Sequence, residues 1–471
     1  MLETVAMTDY DVVVIGGGVG GFTAAVRASQ LGLKAACVEG SSTLGGTCVN
    51  VGGVPSKSLL HATGLFDLAR TKFAGFGIRA TPEFDLSIMM RQKQASVDAL
   101  GRSIEELFDK NRVDRIEGWA RLAGSGRISV RKSDQTEVTL SARHVVIATG
   151  SIPSSLPGVV VDQNRVVDST GALALRETPR RLLVIGAGSV GVELGSIWRR
   201  LGADVDVLEA QDRIIPGADV EISHAFQGIL EKQGVRFHLL TMAQDAVAGE
   251  EGVAVRVRNL ADGAVRTLTA DVVLSAVGRR PFVGDLGLDS VGLSLDEQGF
   301  IPTEPFATAV PGIWAIGDVT HGPMLAHKAE AEAIACIELL AGQSGRMDYD
   351  VIPNVIYTSP EVAWVGETEA EVRASGTAYT VGRFPFSANA RARIAHEGEG
   401  FVKVISSRDD RRILGVHIIG PHASEIIGEA CVAMGFQAEG EDVARTCHAH
   451  PTRSEALRQA AMSAEGWMTQ A

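Results

Sequence analysis

The feature that most constrains this chain is a glycine pattern, GxGxxG, that occurs twice, each time between an apolar β-type run and a helix-like stretch. The first copy follows YDVVVI at 10–15, and the second follows RLLVI at 181–185. A strand, a glycine-rich turn and a helix open the βαβ unit that binds dinucleotides, because the helix N-terminus offers unpaired N–H groups to a pyrophosphate. The glycines concerned are Gly16, Gly18, Gly21, Gly186, Gly188 and Gly191.

An acidic residue ends the second strand of each unit. Glu39 can accept hydrogen bonds from a ribose in the first unit, and Glu209 occupies the same place in the second. A carboxylate there repels a 2′-phosphate, and no arginine directly follows Glu209, so NAD is preferred to NADP. Two dinucleotide sites in one chain predict FAD and NAD together, since a flavin accepts a hydride and passes the electrons on.

Composition excludes several classes of protein. The 471 residues carry 57 acidic against 44 basic side chains, and the net charge of −13 argues against nucleic-acid and anionic-membrane binding. The five cysteines are odd in number and form no C-x-x-C pair, which argues against a secreted disulfide scaffold and favours the reducing cytoplasm. The apolar run 12–26 is too short and too glycine-rich to cross a bilayer. Met7 is an alternative start.

The order of these patterns predicts an α/β fold with two doubly wound, Rossmann-like dinucleotide-binding domains. After about residue 350 the alternation changes to that of an antiparallel sheet, with helices around 422–436 and 453–463, which predicts a C-terminal α+β domain. The predicted segments are an FAD-binding domain at 1–150, an NAD-binding domain at 151–281, a central segment at 282–350 that returns to the FAD domain, and the C-terminal domain at 351–471.

A third motif, GGTCVNVGGVPSK at 45–57, resembles the redox-active motif GGTCxNxGCxPSK of FAD-dependent pyridine nucleotide–disulfide oxidoreductases. The resemblance continues through the whole chain, with ATG at 148–150, WAIGD at 314–318 and HPTxxE at 450–455. Within class I of that family, YTSPEVAWVG at 357–366 and GVHIIGP at 415–421 look most like the dihydrolipoyl dehydrogenases. Mercuric reductases end in a cysteine pair that this chain lacks, and glutathione reductases typically use NADPH.

One departure from the family motif changes the expected chemistry. The family has a second cysteine where this chain has Gly53. By the resemblance, Cys48 is the thiol that exchanges with a dithiol substrate, and the missing thiol would lie against the flavin and pass electrons to it. Without that thiol no internal disulfide can form, so the relay from dithiol to flavin is interrupted.

The resemblance also implies roles for further residues. His450 and Glu455 are the acid–base pair, and the family supplies this histidine from the partner subunit, so a homodimer with a C-terminal dimerisation domain is implied. Lys57 and Glu193 form an ion pair beside the flavin, and Glu193 and Gly278 are also assigned to the NAD site. The remaining residues assigned to FAD are Gly46, Thr47, Lys57, Gly118, Ala120, Thr149, Gly150, Asp318, Met324, Leu325, Ala326 and His327.

Two other patterns have ordinary explanations. Cys37 and Cys336 lie in apolar runs and are expected to be buried packing residues. Cys447, His448 and His450 fall within four residues, which gives poor tetrahedral geometry, so no metal is expected.

The function expected from the resemblance is oxidation of dihydrolipoamide by NAD⁺, impaired by Gly53, with a lipoyl-bearing protein or a small dithiol as partner. Two alternatives stay open at the level of sequence. One is an NADH-dependent flavin reductase that acts on a quinone, a dye or O₂, or a single-thiol enzyme that cycles Cys48 through a sulfenic acid. The other is a flavin-bearing structural partner of an acyltransferase complex.

Overall fold

The structure is a computed structural model that describes residues 9–470, so the alternative start at Met7 lies outside it. The described strands are β1 (Tyr10–Ile15), β2 (Ala35–Glu39), β3 (Asp114–Glu117), β4 (Trp119–Leu122), β5 (Arg127–Arg131), β6 (Glu137–Ile147), β7 (Ser151–Pro153), β8 (Val166–Val167), β9 (Arg181–Ile185), β10 (Asp204–Leu208), β11 (Val235–His238), β12 (Thr241–Gly249), β13 (Gly252–Asn259), β14 (Val265–Ala270), β15 (Val272–Ser275), β16 (Arg279–Pro281), β17 (Ile313–Ala315), β18 (Asn354–Ile356), β19 (Glu361–Gly366), β20 (Tyr379–Pro385), β21 (Phe401–Ser407) and β22 (Ile413–Gly420). The described α-helices are α1 (Val19–Gln30), α2 (Gly46–Asn50), α3 (Gly53–Thr71), α4 (Leu86–Asn111), α5 (Ser169–Ala172), α6 (Ser189–Arg200), α7 (Val220–Lys232), α8 (Ala326–Leu340), α9 (Glu369–Ser375), α10 (Ala390–Ile394), α11 (Ala423–Gly435), α12 (Gly440–Arg445) and α13 (Glu455–Ala464).

The described chain separates into two compact units. The first comprises residues 9–58, 88–154 and 278–347, and the second comprises 59–87, 155–277 and 348–470. The four segments expected from the sequence are finer than this division, and their boundaries stay a prediction. No helix between residues 9 and 470 is both long enough and apolar enough to cross a membrane.

The first unit is built on a parallel sheet in which β3, β2, β1, β6 and β17 lie side by side. Val12 and Val14 of β1 pack under α1, α4 and α8, whereas Val13 and Ile15 face a second cluster that includes β4 and β5. A strand buried on both faces needs a continuous apolar run, which explains the sequence VVVI.

The run HVVIATGS at 144–151 predicts a buried strand that ends in a turn. The strand observed there, β6, begins earlier, at Glu137, and stops at Ile147. Its first half pairs antiparallel with β5, and its second half pairs parallel with β1 and β17. One strand therefore has parallel and antiparallel neighbours, and the apolar run VVI at 145–147 lies in its parallel half.

The second unit contains another parallel sheet, in the order β11-β10-β9-β15-β8. The antiparallel strands β12, β13 and β14 pack against it through Val253, Val255 and Val257, which are buried. Helix α6 follows β9, as the second glycine pattern predicts. The two Rossmann-like folds are confirmed.

The C-terminal part of the second unit is an antiparallel sheet in the order β18-β19-β22-β21-β20. Helices α11 and α13 cover it, and they match the helices expected around 422–436 and 453–463. The expected α+β domain is confirmed.

A buried charge cluster fixes part of this second unit. Lys403 on β21 has a side chain only 2% exposed, and its ammonium lies 2.9 Å from Asp219 and 2.7 Å from Glu369. Asp219 precedes helix α7 and accepts the Glu221 N–H, so the lysine ties the start of that helix to the C-terminal sheet. A buried charge without a partner is costly, and in this cluster each buried charge has a partner of opposite sign.

Replacing this lysine is therefore expected to destabilise the second unit. Lys403→Met leaves the buried Asp219 carboxylate without its ammonium, and removing one partner of a buried pair costs about 3–5 kcal/mol of unfolding free energy. Arg373→Gln is the matched control, because Arg373 pairs with the same Glu369 but has a side chain 71% exposed. Circular dichroism on heating should show the first unfolding transition at a lower temperature for Lys403→Met alone. Equal transitions for the two variants would contradict this assignment.

Candidate active site

In the first glycine loop, helix α1 packs closely against the residues that follow β1 and β6. Gly16 has a φ of +104°, and a β-carbon at Gly21 would lie 1.7 Å from the Gly16 carbonyl oxygen. No side chain fits there, so both positions require glycine. By contrast, a β-carbon at Gly18 would find no atom of the protein closer than 3.9 Å. The start of α1 at Gly18 therefore has open space in front of it, where the pyrophosphate of a dinucleotide could bind.

The second loop repeats this arrangement glycine for glycine. Gly186 also has a φ of +104°, and a β-carbon at Gly191 would lie 2.0 Å from the Gly186 carbonyl oxygen. Around Gly188, a β-carbon would meet nothing within 4 Å. The two loops therefore offer the same kind of cradle, and both fit a bound pyrophosphate.

The two acidic residues also occupy equivalent places. Glu39 Oε2 accepts the Gly17 N–H at 2.7 Å, and Glu209 Oε2 accepts the Ala187 N–H at 2.8 Å. Each carboxylate thus bonds the loop at the residue after the first glycine, and this fixes its position. A ribose at the loop would find a carboxylate rather than a cation beside it in both units.

The redox segment occupies α2 and the first turn of α3. A β-carbon at Gly53 would lie 2.9 Å from Cys48 Sγ. In a disulfide, each sulfur lies about 3 Å from the β-carbon of the other cysteine, given an S–S bond of about 2.05 Å. The backbone at positions 48 and 53 therefore has the spacing of a disulfide, but only Cys48 supplies a sulfur.

Burial raises the pKa of the Cys48 thiol. The positive charge of Lys57, on α3, lowers that pKa, whereas the carboxylates of Asp318 and Glu330 raise it. The net effect favours the protonated thiol, so the reactive thiolate needs either high pH or a base to remove the proton.

A polar chain that the sequence analysis missed lies in the same unit. Arg279 Nε donates to Ser151 Oγ at 2.7 Å, and Ser151 Oγ donates to Asp318 Oδ2 at 2.5 Å. The guanidinium also donates to the Ser151 carbonyl oxygen at 2.6 Å and to Thr47 Oγ1 at 3.4 Å. The chain joins the redox segment to the Asp318 turn. Its sequence signals are the serine after ATG and the GRRP that follows β15.

The other residues predicted for FAD lie in this unit as well. Gly118 donates its N–H to the Glu39 carbonyl oxygen at 2.8 Å, and Thr149 and Gly150 bond the backbone of Phe282. A β-carbon at Gly46 would lie 2.7 Å from the Gly18 α-carbon. Ala120 lies in β4, Met324 and Leu325 precede α8, and Ala326 and His327 begin it. Their contacts with FAD stay a prediction.

The predicted acid–base pair lies in the second unit. His450 Nδ1 is 3.0 Å from Glu455 Oε1, and the carboxylate also accepts the Thr452 N–H at 2.9 Å. Burial by itself would raise the pKa of Glu455, but these hydrogen bonds and the imidazole lower it overall. The histidine side chain is 64% exposed. Glu455 therefore orients an imidazole that is open to another molecule.

Glu193, on α6, is buried and accepts the Tyr357 N–H at 2.9 Å. Lys57 and Gly278 belong to the first unit, so the predicted Lys57–Glu193 ion pair and a NAD site that includes Gly278 stay predictions.

Two cysteines and a histidine outside the predicted catalytic residues have structural surroundings of their own. Cys37 and Cys336 are fully buried, as expected, and burial raises the pKa of both thiols. His448 Nε2 lies 2.6 Å from Glu429 Oε1, and this bond raises the histidine pKa. Between residues 9 and 470, no group of three His, Cys, Asp or Glu side chains is placed to hold a metal ion.

The loop geometry distinguishes a glycine needed for packing from one needed for ligand approach. Gly188→Ala is expected to leave the melting temperature unchanged, because φ is −73° there and the methyl group meets no protein atom. The same methyl group would block the pyrophosphate, so the NADH dissociation constant should rise on the order of tenfold or more in fluorescence titrations. Gly191→Ala should instead lower the melting temperature. Identical behaviour of the two variants would contradict the assignment.

The Cys48 environment predicts a pH dependence. Alkylation by iodoacetamide should show a midpoint above the ordinary thiol range, because burial raises the Cys48 pKa. Lys57→Met removes the charge that lowers this pKa, so alkylation at a given pH should become slower. Peptide mapping separates Cys48 from the exposed Cys447. Faster alkylation in Lys57→Met would show that the lysine does not stabilise the thiolate.

Two family models match the chain. Residues 10–333 match the pyridine nucleotide-disulphide oxidoreductase family, and residues 352–461 match the dimerisation domain of that family. The chain is 58% identical over 461 residues to dihydrolipoyl dehydrogenase 3 of Pseudomonas aeruginosa, covering 98% of this chain and 99% of that one. It is 55% identical to dihydrolipoyl dehydrogenase 3 of Pseudomonas putida, covering 98% of this chain and all of that one.

Among solved structures, LpdA from Mycobacterium tuberculosis matches with a TM-score of 0.89 at 26% identity, covering 96% of this chain and 98% of that one. The resemblance read from the motifs and the expected cofactors are thus confirmed. The chain belongs to the pyridine nucleotide–disulphide oxidoreductase family and is an FAD-dependent, NAD-linked oxidoreductase.

Proposed function

We propose that this chain has the framework of a dihydrolipoyl dehydrogenase and that Gly53 interrupts its reaction with dithiols. The main observation behind the proposal is that a β-carbon at Gly53 would lie 2.9 Å from Cys48 Sγ. The backbone holds the geometry of a redox disulfide, and the missing sulfur is the one difference at this place from the family motif. The 58% identity to a dihydrolipoyl dehydrogenase supports lipoyl chemistry over other dithiols.

The proposed roles follow from the loops. The start of α1, Glu39, Gly118 and Asp318 hold FAD, together with the other residues assigned to it. The start of α6 and Glu209 hold NAD, and a Lys57–Glu193 ion pair places a positive charge beside the flavin. When bound, FAD carries an electron pair between a thiol pair and NAD.

The thiol chemistry belongs to Cys48. A substrate thiolate would attack Cys48 only if Cys48 were in a disulfide with a second sulfur at position 53, which would then leave as a thiolate. His450 of the partner subunit would take the proton of the substrate thiol. A homodimer is required for this step, and the match of residues 352–461 to the dimerisation domain supports it. At position 53 no sulfur is available to complete the exchange.

The partner is a lipoyl-bearing protein or a small dithiol, and the cytoplasm is the proposed compartment. A reducing compartment suits a chain whose described cysteines are all free and whose Cys48 works as a thiol. The net charge of −13 supports a partner other than nucleic acid.

The test compares the chain with Gly53→Cys and Gly53→Ala in an anaerobic assay of dihydrolipoamide plus NAD⁺, following NADH formation. Gly53→Cys should raise the rate by at least about a hundredfold, because it restores the second sulfur of the exchange. Gly53→Ala is the matched control, since it adds the β-carbon without the sulfur and should stay inactive.

Rapid dihydrolipoamide oxidation by the unaltered chain would contradict the proposed impairment. Inactivity of all three proteins, with FAD bound and reduced by NADH in each, would contradict the dihydrolipoyl dehydrogenase framework itself.

A second candidate is an NADH-dependent reductase of a quinone, a dye or O₂. The observation that favours it is that both glycine loops keep their complete geometry although the thiol pair is lost. In this case the chain should oxidise NADH with an added quinone at a rate that Cys48→Ser leaves unchanged. A large loss in Cys48→Ser would instead favour a single-thiol reaction at Cys48.

A further inference from the structure

Helix α8 carries a buried ion pair that lies outside the predicted site residues. Lys328 Nζ is 3.0 Å from Glu332 Oε1, one helical turn away, and the two side chains are 0% and 1% exposed. In sequence the pair resembles an ordinary surface pair at i and i+4. Its complete burial shows that it faces the interior of the first unit.

The pair holds both polar groups of one residue. Glu332 Oε2 accepts the Gly317 N–H at 2.7 Å, and Lys328 Nζ donates to the Gly317 carbonyl oxygen at 3.2 Å. Gly317 has a φ of +75°, so it lies in the left-handed region. The ammonium and the carboxylate thereby fix the orientation of this residue from two sides.

Gly317 begins the short turn that carries Asp318, the residue proposed to bind the flavin ribityl chain. One oxygen of Asp318 accepts from Ser151 Oγ at 2.5 Å, and Arg279 holds that serine. The direction of the remaining carboxylate oxygen therefore depends on where the turn lies. Helix α8, which carries the pair, starts at Ala326 and His327, two further residues assigned to FAD.

Small residues surround the pair and pack closely against its helix. A β-carbon at Gly322, whose φ is +105°, would lie 2.8 Å from Lys328 Cε. Between the two charged residues, Ala329 packs against α1, where a β-carbon at Gly20 would lie 3.2 Å from the Ala329 β-carbon. Two buried charges are in general no more stabilising than two apolar side chains of similar volume, so stability alone does not account for the pair.

We propose that Lys328 and Glu332 are positioning residues for FAD: they hold the Gly317 peptide groups so that Asp318 and the start of α8 meet the flavin in the correct orientation. This inference rests on the placement of Asp318 at the flavin in the proposed function. Neither residue touches FAD in this account.

The test uses the double variant Lys328→Met/Glu332→Leu, because removing both charges avoids leaving one of them buried and unpaired. The apoprotein should melt within a few degrees of the unaltered one. Its FAD dissociation constant, from quenching of flavin fluorescence on titration, should rise on the order of tenfold or more, since the Gly317 N–H loses its Glu332 acceptor and the Gly317 carbonyl oxygen keeps only Thr320 as a side-chain partner. The absorption bands of the bound flavin should also lose fine structure.

Glu338→Gln is the matched control. Glu338 lies on the same helix and pairs with Arg27 of α1, but this pair is partly exposed and does not bond the Gly317 peptide. It should leave both the melting temperature and the FAD dissociation constant unchanged. Asp318→Asn is the second reference, and it should weaken FAD binding at an unchanged apoprotein melting temperature.

The outcomes separate the two proposals. If Asp318→Asn weakens FAD binding but the double variant binds FAD like the unaltered chain, the positioning role is overturned while the flavin site stands. If Asp318→Asn has no effect either, the placement of the flavin is overturned together with the inference. A double variant that does not fold also overturns the inference, because the pair would then be needed for the fold.

Discussion

The chain depends on one steric constraint that it meets twice: the start of a helix must lie against the carbonyl oxygen at the end of a strand. Gly21 approaches the Gly16 oxygen so closely that a β-carbon would lie 1.7 Å from it, and Gly191 repeats this at 2.0 Å from the Gly186 oxygen. Only this approach points unpaired N–H groups at a pyrophosphate. Glu39 and Glu209 each accept an N–H of the loop in their own unit.

The redox segment is held in place by hydrogen bonds of its own backbone. The Val51 N–H donates to the Thr47 carbonyl oxygen at 3.1 Å, and the Ser56 N–H donates to the Gly52 carbonyl oxygen at 3.0 Å. These bonds set the spacing of positions 48 and 53 without any help from a sulfur. Under the proposed function, the absence of a second sulfur removes a chemical step, while the backbone around Cys48 keeps the spacing of a disulfide.

Sequence alone predicted the parts of the fold that depend on local periodicity, such as β1, β22 and α11, and both cofactor loops. It missed the antiparallel half of β6, because β6 changes partners partway along its length. It also missed the interactions between distant residues, such as Ser151 with Asp318 and Lys403 with Asp219. The pair of Lys328 and Glu332 escaped because helical spacing does not distinguish a solvated ion pair from a buried one.

Positions 48 and 53 have the spacing of a disulfide, and peptide mapping of Gly53→Cys is the sharpest test of that spacing. The protein would be purified in air without reductant, its remaining thiols blocked by alkylation under denaturing conditions, and its peptides analysed by mass spectrometry. We expect a Cys48 peptide linked to the cysteine introduced at position 53 in nearly all molecules, and no link in the Cys48→Ser background. Two alkylated, unlinked cysteines in folded, oxidised protein would contradict it.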